Sequence, residues 1–142
     1  MTKTGPKRLG NQVERVALAA LIEKGKVLLV HRHPERRFYP DCWDLVGGHI
    51  EAGESPIEAV RRECEEEIGV HVVEAHPFHL PTSDPDIEAH GFRVDSWIGE
   101  PTNAAPDEHD GLGWFTADEI PLLAIADTAS ADAIVGLLTE PG

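Results

Sequence analysis

The sequence contains only two cysteines and no long hydrophobic run, and both scarcities exclude classes of protein. Cys42 and Cys64 are too few for the disulfide framework of a small secreted protein, and their spacing does not match a Cys-x-x-Cys zinc or redox motif. No stretch of about 18 apolar residues is present, so a membrane-spanning helix is not expected. Residues 1–12 are polar and lack the apolar core of a signal peptide. We therefore predict a cytoplasmic protein with two free thiols.

Positive charge is also scarce. The 142 residues include 12 Lys and Arg against 26 Asp and Glu, which gives a formal net charge of −14. A field of this sign repels phosphate backbones and anionic lipid surfaces, so we expect neither a nucleic-acid polymer nor a membrane as a partner. A phosphate-handling enzyme of this charge would need metal ions to offset the repulsion of its substrate. The length fits one domain, either monomeric or homodimeric.

Hydrophobic patterning predicts one mixed α/β domain over residues 12–142, preceded by a flexible tail at residues 1–11. The chain is continuously apolar from Val16 to Ile22, as expected for a strand buried on both faces, and the turn that follows favours a hairpin. The polar segment Glu100–Gly111 is predicted to be a loop. The predicted strands are Val13–Ile22, Lys26–His33, Cys42–Val46, Val70–Val73, Phe92–Ile98 and Gly113–Phe115, and the predicted helices are Ser55–Ile68 and Ala129–Leu138.

The segment that begins at Ser55 has the clearest helix pattern. Ser55 occupies the N-cap position, Pro56 the first helical position, and Glu58 completes a capping box. Gly69 follows the last apolar residue, as a C-terminal cap does. Four apolar residues recur at helical spacing and form a narrow stripe, namely Ile57, Val60, Cys64 and Ile68.

Three glutamates of this helix, Glu63, Glu66 and Glu67, fall within one sector about 100° wide. That sector adjoins the apolar stripe, so the carboxylates lie at the rim of the core. Like charges at these spacings repel by roughly 0.2–0.5 kcal/mol per pair even when exposed, and burial increases the cost. A bound Mg²⁺ or Mn²⁺ would remove the repulsion, because hard cations prefer clustered carboxylate oxygens. A solvated acidic helix face explains the triplet equally well.

The residues around the triplet favour the metal site. The stretch from Gly48 to Val70 resembles the Nudix box, G-x5-E-x7-R-E-U-x-E-E-x-G-U, where U is an apolar residue. Two departures are Cys64 at the first apolar position and Val46, where many relatives carry proline before the double glycine. Length and strand order are similar to those of the short, single-domain MutT-like members. The box positions are filled in register by Gly48, Glu54, Arg62, Glu63, Cys64, Glu66, Glu67, Gly69 and Val70.

The resemblance implies a Nudix-type α/β/α sandwich with a mixed sheet, and Mg²⁺ or Mn²⁺ as the cofactor. It implies that the three glutamates Glu63, Glu66 and Glu67 ligate the metal and act in catalysis, with the backbone carbonyl of Gly47 as a further ligand. Arg62 is similar to the arginine that holds the box together by pairing with a carboxylate, which is expected to be that of Glu54.

Glu108 lies six residues before Trp114, a spacing that resembles the further loop carboxylate of MutT-like members. The resemblance implies that Glu108 is an extra metal ligand or a general base. One more surface acid in an acidic loop explains it equally well. Trp114 itself is predicted to lie in the core.

Residues outside the box could contact a substrate. Arg32, Arg36 and Arg37 are candidates for binding phosphates, although each is also explained as a solvated loop charge. His31 and His33 share one strand face, but no third metal ligand is in register, so a structural or phosphate-contacting role is favoured. Each candidate for contacting the substrate's base is also explained by packing at the rim of the core or by a role in its loop. These candidates are the aromatic residues Phe38, Tyr39, Trp43 and Trp97 and the polar residues Arg93, Asp95 and Asn103.

The resemblance implies metal-dependent hydrolysis of a phosphoanhydride bond in a nucleoside diphosphate derivative. A (d)NTP or oxidised (d)NTP, cleaved to NMP and pyrophosphate, is the first choice of substrate. ADP-ribose or another nucleotide sugar is the second, because Pro85 lies fifteen residues beyond Val70, about where ADP-ribose-cleaving members carry a proline. Two alternatives from other classes are a non-catalytic, nucleotide-sensing Nudix domain and a structural acidic protein. The intact box argues against both.

Overall fold

The structure, a computed structural model, describes residues 13–37 and 39–139. The predicted tail, residues 1–11, and the candidate base contact Phe38 lie outside the described residues. The strands are β1 (Glu14–Glu23), β2 (Lys26–Arg32), β3 (Trp43–Asp44), β4 (Val46–His49), β5 (His71–Phe78), β6 (Ile87–Ile98) and β7 (His109–Phe115), and the helices are α1 (Pro56–Ile68), a 3₁₀ turn at Ile120–Leu122, and α2 (Thr128–Thr139).

The seven strands of the described residues form one mixed sheet. Its main order is β3-β2-β1-β6-β5, with β4 beside β1 and β7 beside β2. The central strand β1 runs parallel to β6 along its length. On its other edge β1 is antiparallel first to β4 and then, at Ile22 and Glu23, to β2. The predicted hairpin between the first two strands is therefore present.

Both faces of the sheet are covered by a helix. Val60, Cys64 and Ile68 of α1 pack into one core cluster, and Ile134 and Leu137 of α2 pack into a second. Alternate residues of β1 and β2 contribute to the two clusters, which confirms that β1 is buried on both faces. The predicted order of layers, helix, sheet and helix, is confirmed. No helix within residues 13–37 and 39–139 has the length and hydrophobicity that crossing a bilayer requires.

The caps of α1 form as the sequence predicts. Ser55 Oγ accepts a hydrogen bond from the Glu58 backbone N–H at 3.2 Å, and the Glu58 side chain accepts one from Ser55 N–H at 2.8 Å. Gly69 ends the helix in the left-handed conformation, with φ +71°. At the other helix, Asp127 accepts a hydrogen bond from Ala129 N–H at 3.0 Å and caps α2.

The prediction of one strand over Cys42–Val46 is wrong. Two short strands, β3 and β4, separate at Leu45, and Gly47 and Gly48 lie inside β4. The reason is the close approach of β4 to its neighbours. Gly47 has φ +154°, and a Cβ there would lie 2.1 Å from the carbonyl oxygen of Ala17 in β1. A Cβ at Gly48 would lie 2.6 Å from Oε2 of Glu63, so these glycines bring the strand against α1.

Three other strands begin earlier or end later than predicted. β5 continues through Pro77 to Phe78, which an edge strand tolerates because one side of its backbone needs no partner. β6 begins at Ile87, where its polar residues join the parallel ladder with β1. β7 begins at His109, so the last three residues of the predicted loop Glu100–Gly111 belong to a strand.

We expect Gly47→Ala to lower the free energy of unfolding by about 2–4 kcal/mol, because the new Cβ would meet a backbone carbonyl that cannot move aside. Gly136→Ala is the matched control. Its Cβ would meet nothing within 4 Å inside α2, so it should raise stability by about 0.5–1 kcal/mol. Urea titration measures both variants, and a Gly47→Ala protein as stable as the wild type would contradict the packing described here.

Candidate active site

A cleft of about 550 Å³ opens beside β4, the acidic side of α1 and the loop that precedes β7. Its lining carries six acidic side chains against two arginines, so its field attracts cations and repels a bare phosphate. The described residues that line it are Arg36, Gly47, Gly48, His49, Glu51, Arg62, Glu63, Glu66, Glu67, Asp107 and Glu108.

Arg62 connects the loop after β4 to the acidic side of α1. Its Nε and Nη2 donate to the two oxygens of Glu54 at 2.7 and 3.0 Å, and Nη2 also donates to the backbone carbonyl of His49 at 3.0 Å. Its Nη1 donates to Glu63 at 3.2 Å and to Glu66 at 3.3 Å. The bidentate pair with Glu54 raises the pKa of Arg62 above its ordinary value and lowers that of Glu54, so both groups stay charged.

Glu63 and Glu67 lie one helical turn apart and share a hydrogen bond. Burial, followed by the hydrogen bond to Glu67 and the charge of Glu67, raises the pKa of Glu63 to about 8 against the opposing effect of Arg62. Burial raises the pKa of Glu67 to about 7, although the hydrogen bond with Glu63 lowers it, and the nearby charge of Glu108 contributes to the rise. Near neutral pH the pair therefore holds a proton that a divalent cation could replace.

Glu67 is almost completely buried, and its oxygen Oε1 lies 3.1 Å from Nε2 of His109, which is also buried. The ring of His109 contacts Asn103 on its other side, with 3.1 Å between Nδ1 and Oδ1. Burial lowers the pKa of His109. The start of β7 thus brings a histidine to the innermost carboxylate of the acidic triplet.

Glu108 lies beside the same carboxylate. Ligand atoms of Glu67, Glu108 and His109 all lie within 4.8 Å of one another, a spacing that could hold a metal ion. Arg36 donates to the backbone carbonyl of Glu108 at 3.2 Å, and its Nη1 is 3.8 Å from the Glu108 carboxylate. The structure therefore brings Glu108 next to α1, although Glu108 lies 41 to 45 residues after the three glutamates of that helix in the sequence.

The remaining members of the predicted ligand set also line the cleft. The side chain of Glu66 is 59% exposed and contacts Arg62, so it faces the open side of the cleft. Gly47 lies at the inner wall, in the strand beside α1. Clustered oxygen donors, two of them sharing a proton, fit a hard divalent cation.

A second, larger cleft of about 1240 Å³ adjoins the first. Arg36, Gly47, Gly48 and His49 line both, so a single ligand could extend from one into the other. The larger cleft combines apolar and polar walls, including Val16, Leu18, Leu80, Ala89, Arg32, Arg37, Tyr39, Asp44 and Asp127. This mixture is typical of sites that bind a small organic molecule.

Of the acidic residues that line the larger cleft, Asp44 and Asp127 have contacts that the sequence does not predict. Asp44 lies in β3, and burial raises its pKa to about 6, although Arg32 opposes the shift with its Nη1 3.7 Å from the carboxylate. Asp127 caps α2 and accepts two hydrogen bonds from Ser83. No spacing in the sequence connects residues 44 and 127, because only the folded sheet brings them together. The sequence does not predict the position of His109 either, because the polar pattern around it favours a loop and the structure places it in β7.

The candidate substrate residues separate into two groups. Arg32, Arg36, Arg37 and Tyr39 line the larger cleft. Neither tryptophan candidate is among the described residues that line these two clefts. Trp43 packs its ring at 4.9 Å from both His31 and Phe115, and Trp97 stacks on the partly buried Trp114 at 6.1 Å in the core.

The polar candidates for reading a base have structural partners. Arg93 donates to Asp95 at 2.8 Å and to the carbonyl of Leu137 at 3.2 Å, which joins β6 to α2. Asn103 bonds to His109. His31 is bonded to Asp110, with 2.6 Å between Nδ1 and Oδ1.

We expect the metal-free protein to become less stable as the pH rises from about 6.5 to about 8.5. The folded chain holds protons on Glu63 and Glu67 that the unfolded chain has already released, so raising the pH favours unfolding. Below this window His109 titrates in the opposite sense. Urea titrations in EDTA measure the trend, which should be weaker in Glu63→Gln. Stability that rises with pH across the window would show that the carboxyls are already ionised.

Comparisons with known proteins agree with this geometry. A family model described as the NUDIX domain matches residues 12–135. The oxidized purine nucleoside triphosphate hydrolase of Danio rerio is 32% identical over 111 residues, which are 75% of this chain and 68% of that protein. The NAD-capped RNA hydrolase NudC of Stutzerimonas stutzeri is 32% identical over 111 residues, 75% of this chain and 38% of that protein. The chain spans about a third of the length of the longer curated relatives that it matches.

A solved structure gives the same result for the fold. The crystal structure of a MutT Nudix hydrolase from Burkholderia pseudomallei superposes with a TM-score of 0.78 and 29% identity, and the match covers 87% of this chain and 97% of that chain. The residues matched by the family model include α1, the residues that line the smaller cleft, and Glu108. The chain therefore belongs to the Nudix family and is of its MutT-like type.

Proposed function

We propose that this chain hydrolyses a phosphoanhydride bond in a nucleoside diphosphate derivative, with a divalent cation held by the glutamates of the smaller cleft. The observation that carries the proposal is the largely buried, hydrogen-bonded pair of carboxyls, Glu63 and Glu67, which lines that cleft beside Glu108. Buried carboxyls of this kind are costly to maintain and cluster at functional sites. When bound, the cation, Mg²⁺ or Mn²⁺, supplies positive charge that offsets the diphosphate and activates water.

The residues of the smaller cleft have different roles in the proposed reaction. Glu63, Glu66, Glu67 and Glu108 provide the carboxylate oxygens, with the Gly47 carbonyl as a backbone donor. Arg62 holds the loop and the carboxylates at a fixed separation, so the donors are in place before substrate arrives. Either Glu67 or Glu108 is placed to accept the proton of the attacking water, since their carboxylate oxygens lie within 4.8 Å of each other.

The two adjoining clefts support a nucleotide substrate. The diphosphate would lie in the acidic cleft, where Arg36 offers positive charge, and the nucleoside would extend into the larger cleft beside Tyr39 and Asp44. We rank a (d)NTP or an oxidised (d)NTP first, cleaved to NMP and pyrophosphate, and the name of the Danio rerio relative supports this choice. ADP-ribose or another nucleotide sugar is the alternative. The NudC relative is named for NAD-capped RNA, so that substrate belongs in the same assay.

Glu67→Gln should lower kcat by about 100-fold or more, because a neutral amide cannot supply the charge or take up the proton at this position. Hydrolysis of a nucleoside triphosphate in Mg²⁺ or Mn²⁺, with the products separated by chromatography, gives the rate. Glu65→Gln is the matched control, since this neighbouring side chain is 58% exposed and contacts His71 outside the cleft. A Glu67→Gln enzyme with kcat within threefold of the wild type would falsify the proposed role.

A panel of nucleotides ranked by kcat/KM should place oxidised and ordinary (d)NTPs above ADP-ribose and NAD-capped RNA by about tenfold or more. A preference of that size corresponds to roughly 1.4 kcal/mol of transition-state binding, within what pocket contacts supply. A higher kcat/KM for ADP-ribose would select the second substrate class. Tight binding without turnover for every compound would instead identify a nucleotide sensor.

A further inference from the structure

His109 differs from the other histidines of the described chain in its burial. Only 2% of its surface is exposed, whereas the others are exposed or half-buried. A buried imidazole must satisfy both ring nitrogens, and here each nitrogen has one neighbour. Nδ1 faces Oδ1 of Asn103 at 3.1 Å, and Nε2 faces Oε1 of Glu67 at 3.1 Å.

The position of the ring proton follows from the contacts of Asn103. Its Nδ2 donates to the backbone carbonyl of His109 at 2.7 Å, and its Oδ1 accepts from the backbone N–H of Ala105 at 3.2 Å. These two backbone partners fix the orientation of the amide, so the atom that faces Nδ1 is an oxygen, which can only accept. Nδ1 therefore carries the proton, and the lone pair that remains on the imidazole is that of Nε2.

That lone pair points into the cluster of carboxylates. Nε2 of His109 and oxygens of Glu67 and Glu108 lie within 4.8 Å of one another. Within this cluster, Nε2 lies 3.1 Å from Oε1 of Glu67. A six-coordinate ion with bonds of about 2.1 Å places adjacent ligand atoms about 3 Å apart. The two atoms are thus already spaced as neighbouring ligands of one ion.

We propose that Nε2 of His109 is a nitrogen ligand of this cation site, beside the carboxylates of Glu67 and Glu108. The inference rests on the proposed function in one respect, that a divalent cation enters the smaller cleft. Asn103 is then a positioning residue, because its bond to Nδ1 fixes the ring and keeps Nε2 free of a proton of its own. The consequence is a preference among metals. A nitrogen donor favours Co²⁺ and Ni²⁺ over Mg²⁺, which prefers oxygen ligands alone.

Pulsed EPR of the wild-type protein with Mn²⁺ at less than one equivalent tests the ligand directly. The tightest site fills first, and a nitrogen coupled to the bound ion modulates the signal. We expect this modulation in the wild type and in His71→Gln, a control that removes a histidine with a glutamate partner on the exposed surface. We expect its loss in His109→Gln. Bound Mn²⁺ without nitrogen coupling in the wild type would overturn the inference and leave the proposed hydrolysis intact.

Calorimetry with Co²⁺ and with Mg²⁺ measures the preference. His109→Gln should weaken Co²⁺ binding by about 10–100-fold and Mg²⁺ binding by less than about threefold, since only the nitrogen donor is replaced. Equal losses for both ions would mean that His109 merely orients Glu67, which overturns the ligand assignment. If neither Mg²⁺ nor Mn²⁺ binds the wild-type protein, the proposed function fails as well, so the two failures are distinguishable.

Discussion

The arrangement of the acidic cleft depends on Arg62. Its guanidinium holds Glu54 and the carbonyl of His49 on the loop side, and Glu63 and Glu66 on the helix side. A planar group with five donors can satisfy four acceptors at once, which a lysine ammonium with three donors cannot. Because the loop and the helix are both anchored to this one group, the glutamates are held at short separations that their charges alone would oppose.

The strand beside the helix supplies the second constraint, and it is steric rather than electrostatic. β4 approaches β1 so closely at Gly47 that no side chain fits, and Gly48 leaves the space that the carboxyl of Glu63 occupies. Hydrophobic packing of α1 against the sheet then fixes the depth of the carboxyls, with Glu67 deepest and Glu66 at the surface. Desolvation raises the pKa of both Glu63 and Glu67, because it penalises the charged form, and the hydrogen bond between them raises the pKa of Glu63 and lowers that of Glu67.

The sequence predicted the parts of this arrangement that are local. The caps of α1, the apolar stripe and the box spacing lie within some twenty consecutive residues, so helical geometry alone relates them. The sequence did not predict the strand boundaries and side-chain contacts that depend on pairing between distant segments. Nothing near residue 87 indicates that polar residues will join β1, and the start of β7 at His109 depends on its ladder with β2. The contact between His109 and Glu67, 42 residues apart, follows from that ladder and could not be predicted from spacing.

The parallel ladder between β1 and β6 has a consequence for how the chain folds. Its partners, from Glu14 with Ile87 to Leu21 with Val94, are all separated by 73 positions in the sequence. Closing a loop of this length lowers the conformational entropy of the chain before any hydrogen bond of the ladder can form. This pairing should therefore form slowly and late in folding. On the ribosome, β1 emerges long before its partner strand. Its apolar face must therefore be shielded in the meantime by β2, β4 and α1, which leave the exit tunnel soon after it.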